Sequence, residues 1–375
     1  PGHGMIWRSC LWLITRFTHA PVALQVFHAC IAAAFAFVLL FKSPFKLWQS
    51  AALLFGYFFL FEYAVISRCY AFGVLFIALF ATNYTKNQRL TPTGATYLFL
   101  FSNTSVYALM ISVVLTVYLC FMEWNSERHT LRSMIVSGWK RYGLIVIGMG
   151  ISAWQIMPHP DNSFPLHKVT WPFDDYRFFA AITQFFSAFV PIVRWKDPHF
   201  WNTNFMMNDL GLVHWVWILF VFIIVTFPLI QRRSILLLWL FGVLLILFFQ
   251  YYTGFRFARY YGHLFVLWVV CFWLLLGSET NEHKTCLRLL KILPPLAGRV
   301  VTADAMFTHR DVVENVLEKQ ADYVLYAKDN PSDLKAEIAR WLDPGITDRL
   351  AVSVHSFSYK RGVPRGLDLM FDCRF

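Results

Sequence analysis

The chain has 375 residues, of which 58% are hydrophobic, 19% aromatic and only 15% charged, with a formal net charge of +11. Soluble domains carry about 25% charged and about 45–50% apolar residues. An ordinary water-soluble enzyme, a disordered chain and a secreted disulfide scaffold are therefore excluded, and a polytopic membrane protein remains.

A helix crosses a ~30 Å hydrocarbon core with roughly 20 apolar residues. Spans are predicted at Val22–Leu40, Leu47–Leu60, Ala71–Tyr84, Val106–Phe121, Tyr142–Met157, Val213–Leu229, Ile235–Phe249 and His263–Leu276. A shorter run, Ala95–Phe101, precedes Ser102-Asn103-Thr104-Ser105 and reads as the first arm of a hairpin with Val106–Phe121. The expected fold is mainly α, a transmembrane bundle of about 8–9 spans. Between spans, the loop Pro158–Gly211 reads as an amphipathic surface helix with Phe178-Phe179 and Phe185-Phe186 facing lipid, and Asp174-Asp175 as a structural or solvated pair. Seven cysteines stand singly with no CxxC or CxxH spacing, which signals neither a zinc site nor a disulfide framework. Pro1 stands where a Met would start a chain, so an incomplete N-terminus is expected.

Composition changes near residue 280: ten of the 22 acidic residues fall in residues 1–282 and twelve in the remaining quarter. The expected organisation is a membrane domain over 1–277, a linker over 278–298, a βαβα fragment over 299–344 and a tail over 345–375 of unassigned structure. Within the fragment, Arg299–Asp304 and Tyr323–Ala327 read as strands, and Arg310–Gln320 and Ser332–Trp341 as helices. That order implies parallel strands with Asp304 at a carboxyl end, where open α/β sheets place ligands.

Charge placement sets the topology. Lys42 with Lys46, Lys86 with Arg89, the cluster Arg128, Arg132, Lys140 and Arg141, and Arg232-Arg233 all fall on one side if Ala95–Phe121 is a hairpin. By the positive-inside bias that side is cytoplasmic, as is the C-terminal tail. Three opposite segments carry the chemistry: Gly2–Trp7 with His3, Glu62–Tyr70 with Arg68, and Tyr251–His263 with Arg256 and Arg259. An acid and arginines at the end of an apolar run are costly unless paired or bound, and grouped arginines suit a phosphate. Taken singly, Glu62 and Arg68 also read as a sealing ion pair, and the other arginines as interface anchors.

At these segments the chain resembles the GT-C-fold glycosyltransferases that use polyprenyl-phosphate sugars. The resemblance covers residues 1–277. It rests on Gly-His-Gly-x-x-Trp at Gly2–Trp7, Glu-Tyr-x-x-x-Ser-Arg-x-Tyr-Ala at Glu62–Ala71 and Arg-Tyr-Tyr-Gly-His at Arg259–His263. It implies a multi-pass protein of a bacterial inner membrane whose partner is a membrane lipid, a polyprenyl phosphate or its sugar. The implied binding residues are His3, Glu62, Arg68, Tyr70, Arg256, Arg259 and His263. If active, such a chain transfers a hexose. The family's catalytic Asp lies ahead of the segment matching Gly2–Trp7, so the catalytic residue is unknown and impaired catalysis is expected.

The tail resembles a different family. Gly298–Ala305, Asp322–Leu325 and Lys328-x-Asn330 are similar to a DDE-type insertion-sequence transposase of the H-repeat-associated kind, over residues 281–344. That likeness implies an RNase H-like fragment with Asp304 as a carboxylate for a divalent metal, Mg or Mn, one of the three acids that hold two such ions. Here Pro331 replaces the family's Gln, and no convincing third acid follows. The chain thus reads as a chimera of a GT-C-like remnant and a transposase piece. The alternatives are a membrane protein with no chemistry and, third, a transposase acting on DNA; nucleic acid is otherwise not an expected partner.

Overall fold

The computed structural model describes residues 4–126, 131–157, 173–194, 196, 203, 212–254, 257–292, 300–304, 316, 318 and 322–326. The chain divides between Ser278 and Glu279 into two units.

Among the described residues, the regular elements of unit 1 are all helices. In chain order it contains α1 (Met5–Phe17), α2 (Pro21–Phe41), α3 (Leu47–Leu54), a π-helix (Tyr57–Val65), α4 (Tyr70–Asn87), α5 (Pro92–Ser102) and α6 (Val106–Ser126). There follow α7 (Leu131–Ile156), α8 (Asp175–Phe189), α9 (Leu212–Thr226) with a 3-10 turn (Phe227–Gln231), α10 (Arg233–Thr253) and α11 (Ala258–Ile292). One contiguous apolar core runs through it, from Phe35 and Leu39 on α2 through Phe80, Leu98, Ile111 and Trp239 to Leu267 and Trp273 on α11. Many large apolar side chains point outward instead, including Phe37, Trp154, Val216, Leu219, Leu244 and Phe248. A helix apolar on all sides belongs to a lipid-bathed bundle.

Among the described residues, five helices are long and apolar enough to cross a membrane: Pro21–Phe41, Val106–Asn125, Val213–Gln231, Arg233–Thr253 and Ala258–Ser278. This is fewer than the eight or nine spans expected. The Leu47–Leu60 run is broken: α3 stops at Leu54, and the chain restarts after Gly56 as a π-helix. The Ala95–Phe101 run becomes α5, whose 11 residues reach only ~16 Å at 1.5 Å per residue. Thr91 caps it, its hydroxyl accepting from Gly94 N at 3.0 Å. Asn103 and Thr104 separate α5 from α6, so the Ala95–Phe121 stretch is two helices.

The expected lipid-facing surface of α8 is also corrected. Phe185 and Phe186 are buried, and the Phe185 ring lies 5.6 Å from Phe222 and 6.3 Å from Trp239. Both faces of a membrane helix are apolar, so sequence does not separate lipid contacts from helix contacts. Asp174 caps α8, accepting from Arg177 N at 3.0 Å and pairing with Arg177 Nε at 3.3 Å.

Two ends of the unit can be told apart. At one, Arg141 donates to Leu90 O at 2.6 Å and pairs with Glu123 at 3.1 Å, gathering two of the basic loops. At the other, Gly4 N donates to Thr104 O at 3.3 Å and Met5 N to Gln155 Oε1 at 2.8 Å.

In unit 2, α11 continues to Ile292, through the first part of the expected linker. Strands β1 (Val300–Asp304) and β2 (Asp322–Tyr326) pair in parallel, with Val300 opposite Asp322 and Asp304 opposite Tyr326. The helices expected around them, and the 345–375 tail, lie outside the described residues apart from Val316 and Glu318.

Candidate functional site

The π-helix positions the acid. Glu62 is 1% exposed, and the Tyr57 hydroxyl donates to its Oε1 at 3.0 Å. Burial pushes the Glu62 carboxyl above the ordinary carboxylate range; the Tyr57 hydrogen bond and the charges of Arg259 and Arg68 oppose that rise. Among the described residues Glu62 makes no ion pair within 4.0 Å, so it is not a sealed partner of Arg68. A buried carboxyl with two arginines at longer range leaves cationic capacity for an anion between them.

Arg68 and Arg259 share this rim. Burial raises the thiol of Cys69 to about 12, and a backbone hydrogen bond and then the charges of Arg68 and Arg259 oppose that rise. Arg259 is half-buried. Its guanidinium carbon stands 4.3 Å over the Phe257 ring and 5.1 Å over Tyr260. Its Nε is buried and has no hydrogen-bond partner among the described residues, and its carbonyl accepts from the Tyr63 hydroxyl at 3.2 Å.

Behind the rim stands His263, 5% exposed. Its ring lies 4.9 Å from Tyr107, stacked, and 5.5 Å from Tyr70 and 5.9 Å from Tyr63, both edge-on. Nδ1 is 3.2 Å from Tyr260 O and Nε2 3.5 Å from Ser105 Oγ. The ring is thus enclosed, and it holds the starts of α4, α6 and α11 together. Gly262 permits this approach, because a Cβ there would lie 2.5 Å from both Phe58 Cδ1 and the Tyr63 hydroxyl.

Of the residues expected from sequence, the structure brings together Glu62, Arg68, Tyr70, Arg259 and His263. His3 and Arg256 lie outside the described residues. The sequence reading missed Tyr57, Tyr63, Ser105, Tyr107 and Tyr260. Tyr63 and Tyr260 fall inside the two quoted runs, but Tyr107 stands in an otherwise apolar helix and carries no local signal. Trp7, from the Gly2–Trp7 run, packs edge-on against His28 at 6.1 Å and Phe72 at 6.2 Å.

Tyr57, the phenol bonded to the acid, lines a groove of about 410 Å³. Trp48 and Leu53 on α3, Tyr57 and Phe58 on the π-helix, Phe189 on α8, and Trp268 on α11 line it. Tyr57 therefore has its ring in an apolar groove and its hydroxyl on Glu62.

In unit 2, Asp304 ends β1 opposite Tyr326. Among the described residues no three His, Cys, Asp or Glu side chains stand close enough to hold a metal ion.

Fold and rim together define a class: a mainly helical protein with membrane-length apolar helices and a buried acid beside two arginines. No protein-family model matches the chain, and no solved structure matches it. Curated relatives match over short segments. A nucleotide-binding protein of Cereibacter sphaeroides (strain ATCC 17025 / ATH 2.4.3) is 51% identical over 82 residues, 22% of this chain and 27% of that protein. A nucleotide-binding protein of Roseobacter denitrificans is 59% identical over 46 residues, 12% of this chain and 16% of its own. One of Dinoroseobacter shibae is 42% identical over 82 residues, 22% and 27%. The chain thus spans about a quarter of the length of the first of these relatives.

Proposed function

We propose that unit 1 is a multi-pass membrane unit that holds an anionic isoprenoid lipid, a polyprenyl phosphate or its sugar conjugate, as the GT-C resemblance implies. The single observation that carries the reading is Arg259, half-buried beside Arg68 and Glu62 with its Nε unsatisfied. Arginine grips phosphate through parallel N–H···O bonds, and a partly desolvated site strengthens them. The apolar groove that Tyr57 helps to line suits the hydrocarbon part of such a lipid. Any hexosyl transfer needs a carboxylate in reach of the acceptor; Glu62, hydrogen-bonded to Tyr57 and buried, is an electrostatic element of the rim in this reading. The basic loops belong to the cytoplasmic side of a bacterial inner membrane, and so does the C-terminal tail.

The test is titration of the purified full chain with polyprenyl phosphate. Arg68→Ala combined with Arg259→Ala weakens binding more than about tenfold, equivalent to about 1.4 kcal/mol. Unchanged binding removes the phosphate reading and leaves a membrane protein without this chemistry.

A second reading comes from the relatives. The proteins that share up to 51% identity over 82 residues are called nucleotide-binding, and the shared segment would bring a nucleotide contact with it. Saturable binding of ATP or GTP to the full chain, insensitive to the two arginine substitutions, supports that reading.

A further inference from the structure

We propose that α1 is a surface anchor that binds anionic phospholipid headgroups at the end of unit 1 where the arginine rim lies. The helix has 13 residues and so extends only ~20 Å, too short to cross a ~30 Å core. It buries no residue completely, yet its start is fixed to the bundle. Gly4 donates to Thr104 O, a Cβ at Gly4 would collide with the Asn103 carbonyl, and Met5 N donates to Gln155 Oε1. Trp7 packs on His28 and Phe72. Trp7, Cys10, Leu11 and Ile14, at helical spacing, are half-buried toward the body.

The rest of the helix is exposed in two flanks. Leu13 and Phe17, one turn apart, are 54% and 84% exposed. Arg8, Trp12 and Arg16, at i, i+4 and i+8, share the other flank, and Arg16 lies 4.8 Å over the Trp12 ring. Apolar groups beside a Trp–Arg pair match the boundary between acyl chains and headgroups. The charge selects the lipid: α1 itself holds no Asp or Glu, and among the described residues Arg8 and Arg16 make no ion pair. Anionic headgroups supply that complement, and zwitterionic ones do not.

Hydrogen–deuterium exchange of the full chain in lipid nanodiscs tests this. Discs of phosphatidylcholine alone are compared with discs containing about one quarter phosphatidylglycerol. The amides of α1 exchange about tenfold more slowly in the anionic discs. The difference disappears in Arg8→Gln/Arg16→Gln, while α6 amides, the internal check on folding, stay unchanged. Equal α1 exchange in the two disc types overturns the proposal. So does slow exchange that persists in detergent without lipid, since the covering surface is then protein, such as a second copy.

Discussion

Gly262→Ala tests whether the packing behind the rim sets the position of Arg259. The added Cβ lies 2.5 Å from Phe58 Cδ1 and from the Tyr63 hydroxyl, and 2.7 Å from Phe58 Cε1. Neither ring has room to retreat. Phe58 is wedged against Tyr261 at 6.0 Å and Phe265 at 5.6 Å, and Tyr63 against His263 at 5.9 Å. Overpacking of this kind costs about 1–3 kcal/mol, offset by up to ~1 kcal/mol of helix propensity gained at the glycine. The net expectation is a loss of about 1–2 kcal/mol, which lowers the melting midpoint by a few degrees. The informative measurement is a double-mutant cycle. Tyr63→Phe alone loses the bond to Arg259 O, about 0.5–1.5 kcal/mol. In the Gly262→Ala background it also removes the clashing oxygen, so the pair costs less than the two single losses together. Thermal unfolding in one detergent, with polyprenyl-phosphate titration of each variant, reads both stability and site. Additive losses, or a Gly262→Ala protein as stable as the parent, refute the clash and the role of Gly262 in placing Arg259.

Two further outcomes follow from named contacts. Glu62 has its folded-state pKa raised above the ordinary 4.5, so the folded state holds its proton more tightly than the unfolded chain. Stability from this group is full below about pH 4.5 and falls as pH rises through the folded-state titration, by at most ~1.4 kcal/mol per pH unit. Glu62→Gln removes that dependence, so midpoints of parent and variant measured from pH 4 upward diverge in favour of Gln; parallel curves refute the assignment. At the opposite end, Glu123 pairs with Arg141 at 3.1 Å and accepts from the Tyr142 hydroxyl at 2.5 Å. Glu123→Ala strands both partners and costs about 1–3 kcal/mol of thermal stability; a loss below measurement shows the triad to be solvated.

The positions of the apolar helices were legible because composition alone marks them: the runs expected in residues 1–277 fall on helices, except that Leu47–Leu60 is split between α3 and the π-helix and Val213–Leu229 ends in a 3-10 turn. Their count was less legible, because polar or flexible residues inside a run change length without changing its average character. Gly56 divides one run, and α5 stops after 11 residues. The rim was half legible. Glu62, Arg68, Arg259 and His263 announce themselves as polar groups in apolar surroundings. Tyr63 and Arg259 lie 196 residues apart, however, and nothing in either local run says that they touch. Tyr107 was invisible for the same reason: its significance is the stack on His263, made only when α6 and α11 meet.

The π-helix explains why the acid sits where it does. In an α-helix, residues five apart are separated by 1.4 turns and face different directions. Tyr57 and Glu62 are five apart, and their 3.0 Å hydrogen bond would be awkward on such a helix. In a π-helix the backbone bonds run from i to i+5, which brings those two positions onto one face. α3 ends at Leu54 with Phe55 as its C-cap, and the extended backbone at Gly56 opens the wider helix at Tyr57. The widened segment therefore does two things at once. It leaves Tyr57 lining the apolar groove, and it buries Glu62 within reach of the charges of Arg259 and Arg68. A buried acid is otherwise a cost that an apolar helix avoids. Its retention on the rare helix type, where a phenol satisfies it and two arginines balance it at a distance, is what separates this end of the unit from a plain helix corner.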